Sequence, residues 1–180
     1  MDETLTHLIN SLSGQNAFLD QLMIVTTKYG VPLMVLAVVF QWWGNPPREK
    51  LRQTAIIAGL SFLLGLLTAQ IILLFIHRLR PYDTGVSHLI IDKTIDWSFP
   101  SDHAIASTSI AFAFLMNGFR KHALAFGLAA LIICFSRIYV GMHYVTDILG
   151  GAGLALVAAY LVSRFYPCES KLDKWLVSWF

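Results

Sequence analysis

Charge is scarce in this 180-residue chain: Asp, Glu, Lys and Arg make up 13% of it, against 56% hydrophobic residues. That balance, with a positive mean hydropathy, excludes a water-soluble domain of this length. Cysteine is nearly absent. Cys134 and Cys168 fall near opposite ends of apolar segments, too far apart for a disulfide, and read as buried and interfacial thiols. No His, Cys, Asp and Glu grouping shows metal-ligand spacing, so neither a metal nor another cofactor is expected. A net charge of +2 without a basic patch argues against a nucleic-acid partner. The N-terminus lacks a positive n-region and a small-residue cleavage site, so the first apolar run reads as a retained helix. There is no internal repeat, low-complexity tract or flexible linker, and residues 1–180 read as one domain.

What the chain does have is long apolar runs, at about 17–43, 53–76, 102–118, 122–139 and 145–166. Each is near the roughly 20 residues that span a bilayer core. The fold class expected is all-α, a polytopic membrane helix bundle with about five transmembrane helices and short interfacial helices at the termini. Leu5, Ile9 and Leu12 give residues 3–14 one apolar face, and Trp175, Leu176, Trp179 and Phe180 suit the headgroup zone. With the N-terminus outside, five spans put Arg48, Lys50, Arg52, Arg120, Lys121, Arg164, Lys171 and Lys174 in the cytoplasm, eight of the thirteen basic residues. That satisfies the positive-inside rule. A multi-pass cell-membrane protein follows, with its polar clusters on the extracytoplasmic side.

Three such clusters occur in order. Arg80-Pro81 ends the second apolar run and Pro100-Ser101-Asp102-His103 opens the third. Ser136-Arg137 ends the fourth, with His143 six residues after Arg137 and Asp147 four after that. Arg80 and Arg137 offer planar forks that match phosphate oxygens. A helix N-terminus capped by Ser101 favours an anion through its free amides and dipole. Asp147, one helical turn from His143, is placed to accept a hydrogen bond from one ring nitrogen and leave the other aimed at a substrate. The combination is what phosphoryl transfer through a covalent intermediate asks for. Asp102 puts a carboxylate beside an anion site and is expected to turn away from it. Arg78 is either a further contact at the rim or a positive flank, and Lys28 either snorkels outward or serves the site. The segment from Tyr82 to Trp97 is either a cover over the site or a solvated connector.

From about Leu51 to Phe165 the chain resembles the type 2 phosphatidic acid phosphatase family. The resemblance rests on Arg80-Pro81, on Phe99-Pro100-Ser101-Asp102-His103 and on the stretch from Ser136 to His143 with Asp147. Within that family it is most similar to the small undecaprenyl-diphosphate phosphatases of the bacitracin-resistance type. The resemblance implies a membrane lipid phosphatase with His143 as nucleophile, Asp147 as its orienting carboxylate and His103 as general acid. Arg80, Arg137 and Ser101 would hold the phosphoryl group; Asp102 is counted with the phosphate site by its place in the motif although its carboxylate is expected to turn away, and Arg78 only as a candidate contact at the rim. It further implies undecaprenyl diphosphate as the lipid substrate. The same chemistry would serve phosphatidylglycerophosphate, phosphatidate or another prenyl diphosphate, and a lipid hydroxyl in place of water would make the protein a phosphotransferase. Two positions depart from the family pattern: Leu73 stands where the family has lysine, and Asp102 where it commonly has glycine.

Overall fold

The computed structural model describes residues 1–44 and 48–178. Trp179 and Phe180, expected in the headgroup zone, lie outside the described residues. The elements are α1 (Asp2–Asn10), α2 (Ala17–Phe40) continued by a 3-10 turn (Gln41–Trp43), α3 (Arg48–Leu73), α4 (Asp102–Met116), α5 (Arg120–Tyr139), α6 (Val145–Phe165) and α7 (Lys171–Val177). Every regular element among the described residues is helical, as the runs of period-free apolar sequence without strand alternation require. Starts are marked by side-chain caps: Asn16 accepts from the amides of Phe18 and Leu19, and Ser170 from that of Asp173.

Four helices, α2 with its 3-10 turn, α3, α5 and α6, are long and apolar enough to cross a membrane. The fifth apolar run gives α4, which has 15 residues and rises only about 22 Å at 1.5 Å per residue. Its short length reflects its position. α4 is the central helix, enclosed by α3, α5 and α6 and touched by α2, so it need not match the bilayer by itself. Ala104, Ala106, Ser107, Ser109, Ala111 and Ala113 are all buried, and such small side chains let neighbouring helices approach closely. The hydroxyls of Ser107 and Thr108 donate back to the carbonyls of His103 and Ala104, so they add no unpaired donor to the interior.

Two features govern the end of the bundle where α4 begins. The segment 74–101 crosses it without regular structure, and its Leu89, Ile90 and Ile91 pack on Met23, Tyr139, Val140 and Met142. α1 lies across the same end. Its Leu5 and Leu8 are exposed, as is Leu12 just beyond it, while the stripe Asp2, Thr6 and Asn10 faces the protein. The Asn10 amide donates to the carbonyls of His88 and Tyr139, and the Thr6 hydroxyl accepts from the Val145 amide. α1 is therefore amphipathic as expected, with its polar stripe turned inward. The basic residues collect at the other end. There the Arg52 guanidinium donates to the carbonyls of Trp42 and Val177, and the Lys50 ammonium lies 5.7 Å from the Phe119 ring.

Candidate active site

The turn from α5 into α6 delivers the histidine. Gly141 adopts φ +86°, and a Cβ there would sit 2.5 Å from the His88 carbonyl oxygen, so the turn needs glycine both for conformation and for space. Two residues later the His143 ring is buried, with Nδ1 2.8 Å from the Ser98 carbonyl oxygen and Nε2 3.3 Å from Nη1 of Arg80. A carbonyl only accepts, so Nδ1 carries the proton. Arg80 only donates, so Nε2 presents its lone pair. The spacing of four brings Oδ2 of Asp147 to 3.6 Å from Nδ1, close enough for its charge to act but longer than a hydrogen bond.

Asp147 is fully buried and works through several partners. Oδ2 accepts from the Ser98 hydroxyl at 2.6 Å and the Tyr144 amide at 2.8 Å, and Oδ1 accepts from Nη1 of Arg78 at 2.7 Å. It thereby fixes Ser98, whose carbonyl in turn orients the imidazole. Burial pushes His143 down to about 4; the Asp147 carboxylate opposes this, and the Arg137 and Arg80 charges add to it. The ring is neutral at neutral pH, the form a nucleophile needs.

Both arginines of the motifs are buried. Arg80 donates through Nε to the Asp96 carbonyl and through Nη1 to the Met142 carbonyl, and Nη2 pairs with the Asp96 carboxylate at 2.9 Å. Arg137 donates through Nη1 to the Thr27 hydroxyl at 2.8 Å, while its Nε has no partner. A cavity of about 550 Å³ opens beside it, lined by Arg137, His103, Thr27, Lys28, Asp92 and Met142. The segment 74–101 forms one wall of this cavity through Ile90, Ile91, Asp92 and Thr94.

The other sequence-derived residues divide by position. Ser101 is buried as the N-cap of α4, its hydroxyl 3.5 Å from the Ala104 amide, and its own amide donates to the Asp147 carbonyl at 3.2 Å. Close approach of α6 makes this possible: a Cβ on Gly151 would lie 2.6 Å from the Ser101 carbonyl oxygen. Asp102 is exposed. Arg78 lies behind Asp147, held by Asp147, Asp2 and Thr146. Ser98, Asp96 and Asp2 were not singled out as site residues from sequence. Ser98 acts partly through its main chain, which carries no sequence signal, and Asp2 reaches the site only because α1 folds back onto α6. Among the described residues no group of three or more His, Cys, Asp or Glu side chains is arranged to hold a metal.

Residues 54–170 match the model of the PAP2 superfamily. The chain is 33% identical over 158 residues to the undecaprenyl-diphosphatase BcrC of Bacillus subtilis, covering 87% of this chain and 80% of that one. Two solved structures share the fold. One is the transmembrane PAP2-type phosphatidylglycerolphosphate phosphatase of Bacillus subtilis, with TM-score 0.67 and 22% identity over 94% of this chain and 86% of that one. The other is Aquifex aeolicus LpxE, with TM-score 0.70 and 19% identity over 91% of this chain and 95% of that one. With its apolar helices enclosing a buried histidine and two buried arginines, the chain belongs to the PAP2 superfamily and is a multi-pass membrane phosphatase of that family.

Proposed function

We propose that this protein hydrolyses undecaprenyl diphosphate to undecaprenyl phosphate and inorganic phosphate on the extracytoplasmic side of the membrane, through a phosphohistidine at His143. Nε2 of His143 attacks the terminal phosphorus. The bridging P–O bond breaks, its electron pair leaves with the lipid phosphate oxygen, and His103 supplies the proton that oxygen takes up. Water then attacks the phosphohistidine and gives a proton to His103. The P–N bond breaks, its pair returns to Nε2, and phosphate departs. Arg80, Arg137 and the first turn of α4, with its Ser101 cap, stabilise the charge on the transferred oxygens, the task a metal performs in other phosphatases. The reaction is accordingly proposed to be metal-independent.

One observation carries this reading: Arg137 is buried with an unpartnered Nε, lines a cavity together with His103, and acts by its charge on His143, whose Nδ1 faces the Ser98 carbonyl. A buried donor without a partner is costly unless a ligand satisfies it. An apolar cavity of about 310 Å³ between α2, α3 and α4, lined by Val35, Val38, Trp42, Gly59, Phe62 and Ile110, suits part of a hydrocarbon tail. The diphosphate substrate is supported by the likeness to undecaprenyl-diphosphatase BcrC. The outward orientation is supported by the eight basic residues at the end opposite the site. The test is phosphate release by the purified chain, after exhaustive chelation, from undecaprenyl diphosphate, phosphatidylglycerophosphate and phosphatidate as sole substrates. The highest kcat/KM is expected for the diphosphate. Preference for another lipid would reassign the substrate, and activity restored only by added metal would refute metal independence. Transfer to a lipid hydroxyl without phosphate release would make the protein a phosphotransferase.

A further inference from the structure

Arg78 stands two residues before Arg80, yet its guanidinium is directed away from the cavity. Nη1 donates to Oδ1 of Asp147 at 2.7 Å and to the Thr146 hydroxyl at 2.7 Å, and Nη2 donates to Oδ2 of Asp2 at 2.6 Å. Its Cζ lies 3.8 Å from the centre of the Tyr144 ring, a stacking that fixes the plane of the fork. Asp2 is itself anchored, accepting from the Thr146 amide at 3.0 Å and the Thr146 hydroxyl at 2.5 Å at the N-terminus of α6. Despite partial burial, the Thr146 and Arg78 donors hold the Asp2 carboxyl below its ordinary value. A carboxylate, a guanidinium and a second carboxylate thus lead in sequence from α1 to the residue behind His143.

We propose that Arg78 and Asp2 are positioning residues: Asp2 on α1 aims Arg78, and Arg78 pins Oδ1 of Asp147 so that Oδ2 stays on Ser98, the Tyr144 amide and the His143 side. This rests on the phosphohistidine reading above and extends it to α1. The electrostatic consequence has a definite sign. Asp147 favours the imidazolium that His143 becomes when phosphorylated, Arg78 draws on that negative charge, and Asp2 partly neutralises Arg78. The charged and titratable groups facing His143 are Asp147, Arg80, Arg137 and His103, with Asp96 behind Arg80. Those facing Asp147 are His143 and Arg78, with Asp2 and Tyr144 behind.

Removing Arg78 leaves Asp147 more negative towards His143, and removing the Asp2 charge does the reverse. In the full chain, Arg78→Met is expected to lower kcat by about 10- to 100-fold with KM changed less than about threefold, the scale of lost outer-shell support at other catalytic sites. Arg78→Lys should recover part of the loss, since a point charge reaches one carboxylate but not both. Asp2→Asn should lower kcat by a smaller factor, and the Asp2→Asn, Arg78→Met double variant should be no worse than Arg78→Met. The acid limb of kcat/KM should move to higher pH in Arg78→Met and to lower pH in Asp2→Asn. A raised KM with unchanged kcat in Arg78→Met would make Arg78 a substrate-phosphate ligand and overturn the proposal. So would additive losses, same-direction pH shifts or wild-type kinetics in both single variants. If Arg78→Met fails to fold, Arg78→Lys and Asp2→Asn decide by the same kcat, KM and pH criteria. His143→Ala, measured alongside, separates the two levels: turnover in that variant refutes the phosphohistidine, whereas a dead His143→Ala with normal Arg78 and Asp2 variants refutes the relay alone.

Discussion

His143 takes its character from burial and from two neighbouring arginines as much as from its carboxylate. Its pKa, pushed down to about 4, keeps the ring neutral far below the usual histidine range, as the proposed nucleophile requires. The acid limb of kcat/KM is therefore expected near pH 4, and a substantial fraction of maximal kcat/KM should persist at pH 5.5; a limb centred at 6.5 would show that His143 is solvated or differently partnered. His143, Asp147, Arg80 and Arg137 were readable because they fall in ordered motifs that resemble those of a known family. The structure places Nη1 of Arg80 3.3 Å from Nε2 of His143 and Oδ2 of Asp147 3.6 Å from its Nδ1. Ser98 was not readable, since the orienting acceptor is a main-chain carbonyl that any residue possesses. Nor was the placement of Arg78, which depends on Asp2, 76 residues away in sequence.

Helices were legible as runs of apolar residues, and the start of α4 as the Ser101 cap, but periodicity says nothing about which helix sits in the middle. α4 is short because three neighbours enclose it, a tertiary fact that hydropathy does not encode. α1 shows the same limit. Its amphipathic pattern is plain, whereas the inward direction of Asp2, Thr6 and Asn10 comes from their partners on segment 74–101 and α6. The α5–α6 turn is the element most exposed to a single change. Gly141→Ala combines a left-handed backbone with a contact of 2.5 Å to the His88 carbonyl, and should cost about 1–3 kcal/mol. A lower thermal midpoint together with at least a tenfold loss of turnover is the expected result. Unchanged values for both would mean that the turn relaxes without moving His143.

At the scale of the molecule, α2 to α6 separate two chemistries, with basic anchors at one end and the His143 cluster at the other. Single cysteines at Lys93 and Lys121, in a background lacking Cys134 and Cys168, test the direction this gives in the membrane. An impermeant thiol reagent on intact cells should label Lys93→Cys and spare Lys121→Cys, and the opposite pattern would invert the topology. The covalent intermediate is the claim on which the rest depends. Rapid acid-minimising quench of the purified chain with diphosphate lipid labelled at the terminal phosphorus should trap an acid-labile, base-stable phosphoenzyme. The label should map to His143, appear at a rate no slower than turnover, and vanish together with turnover in His143→Ala. Turnover in His143→Ala, or label on any other residue, would contradict the account.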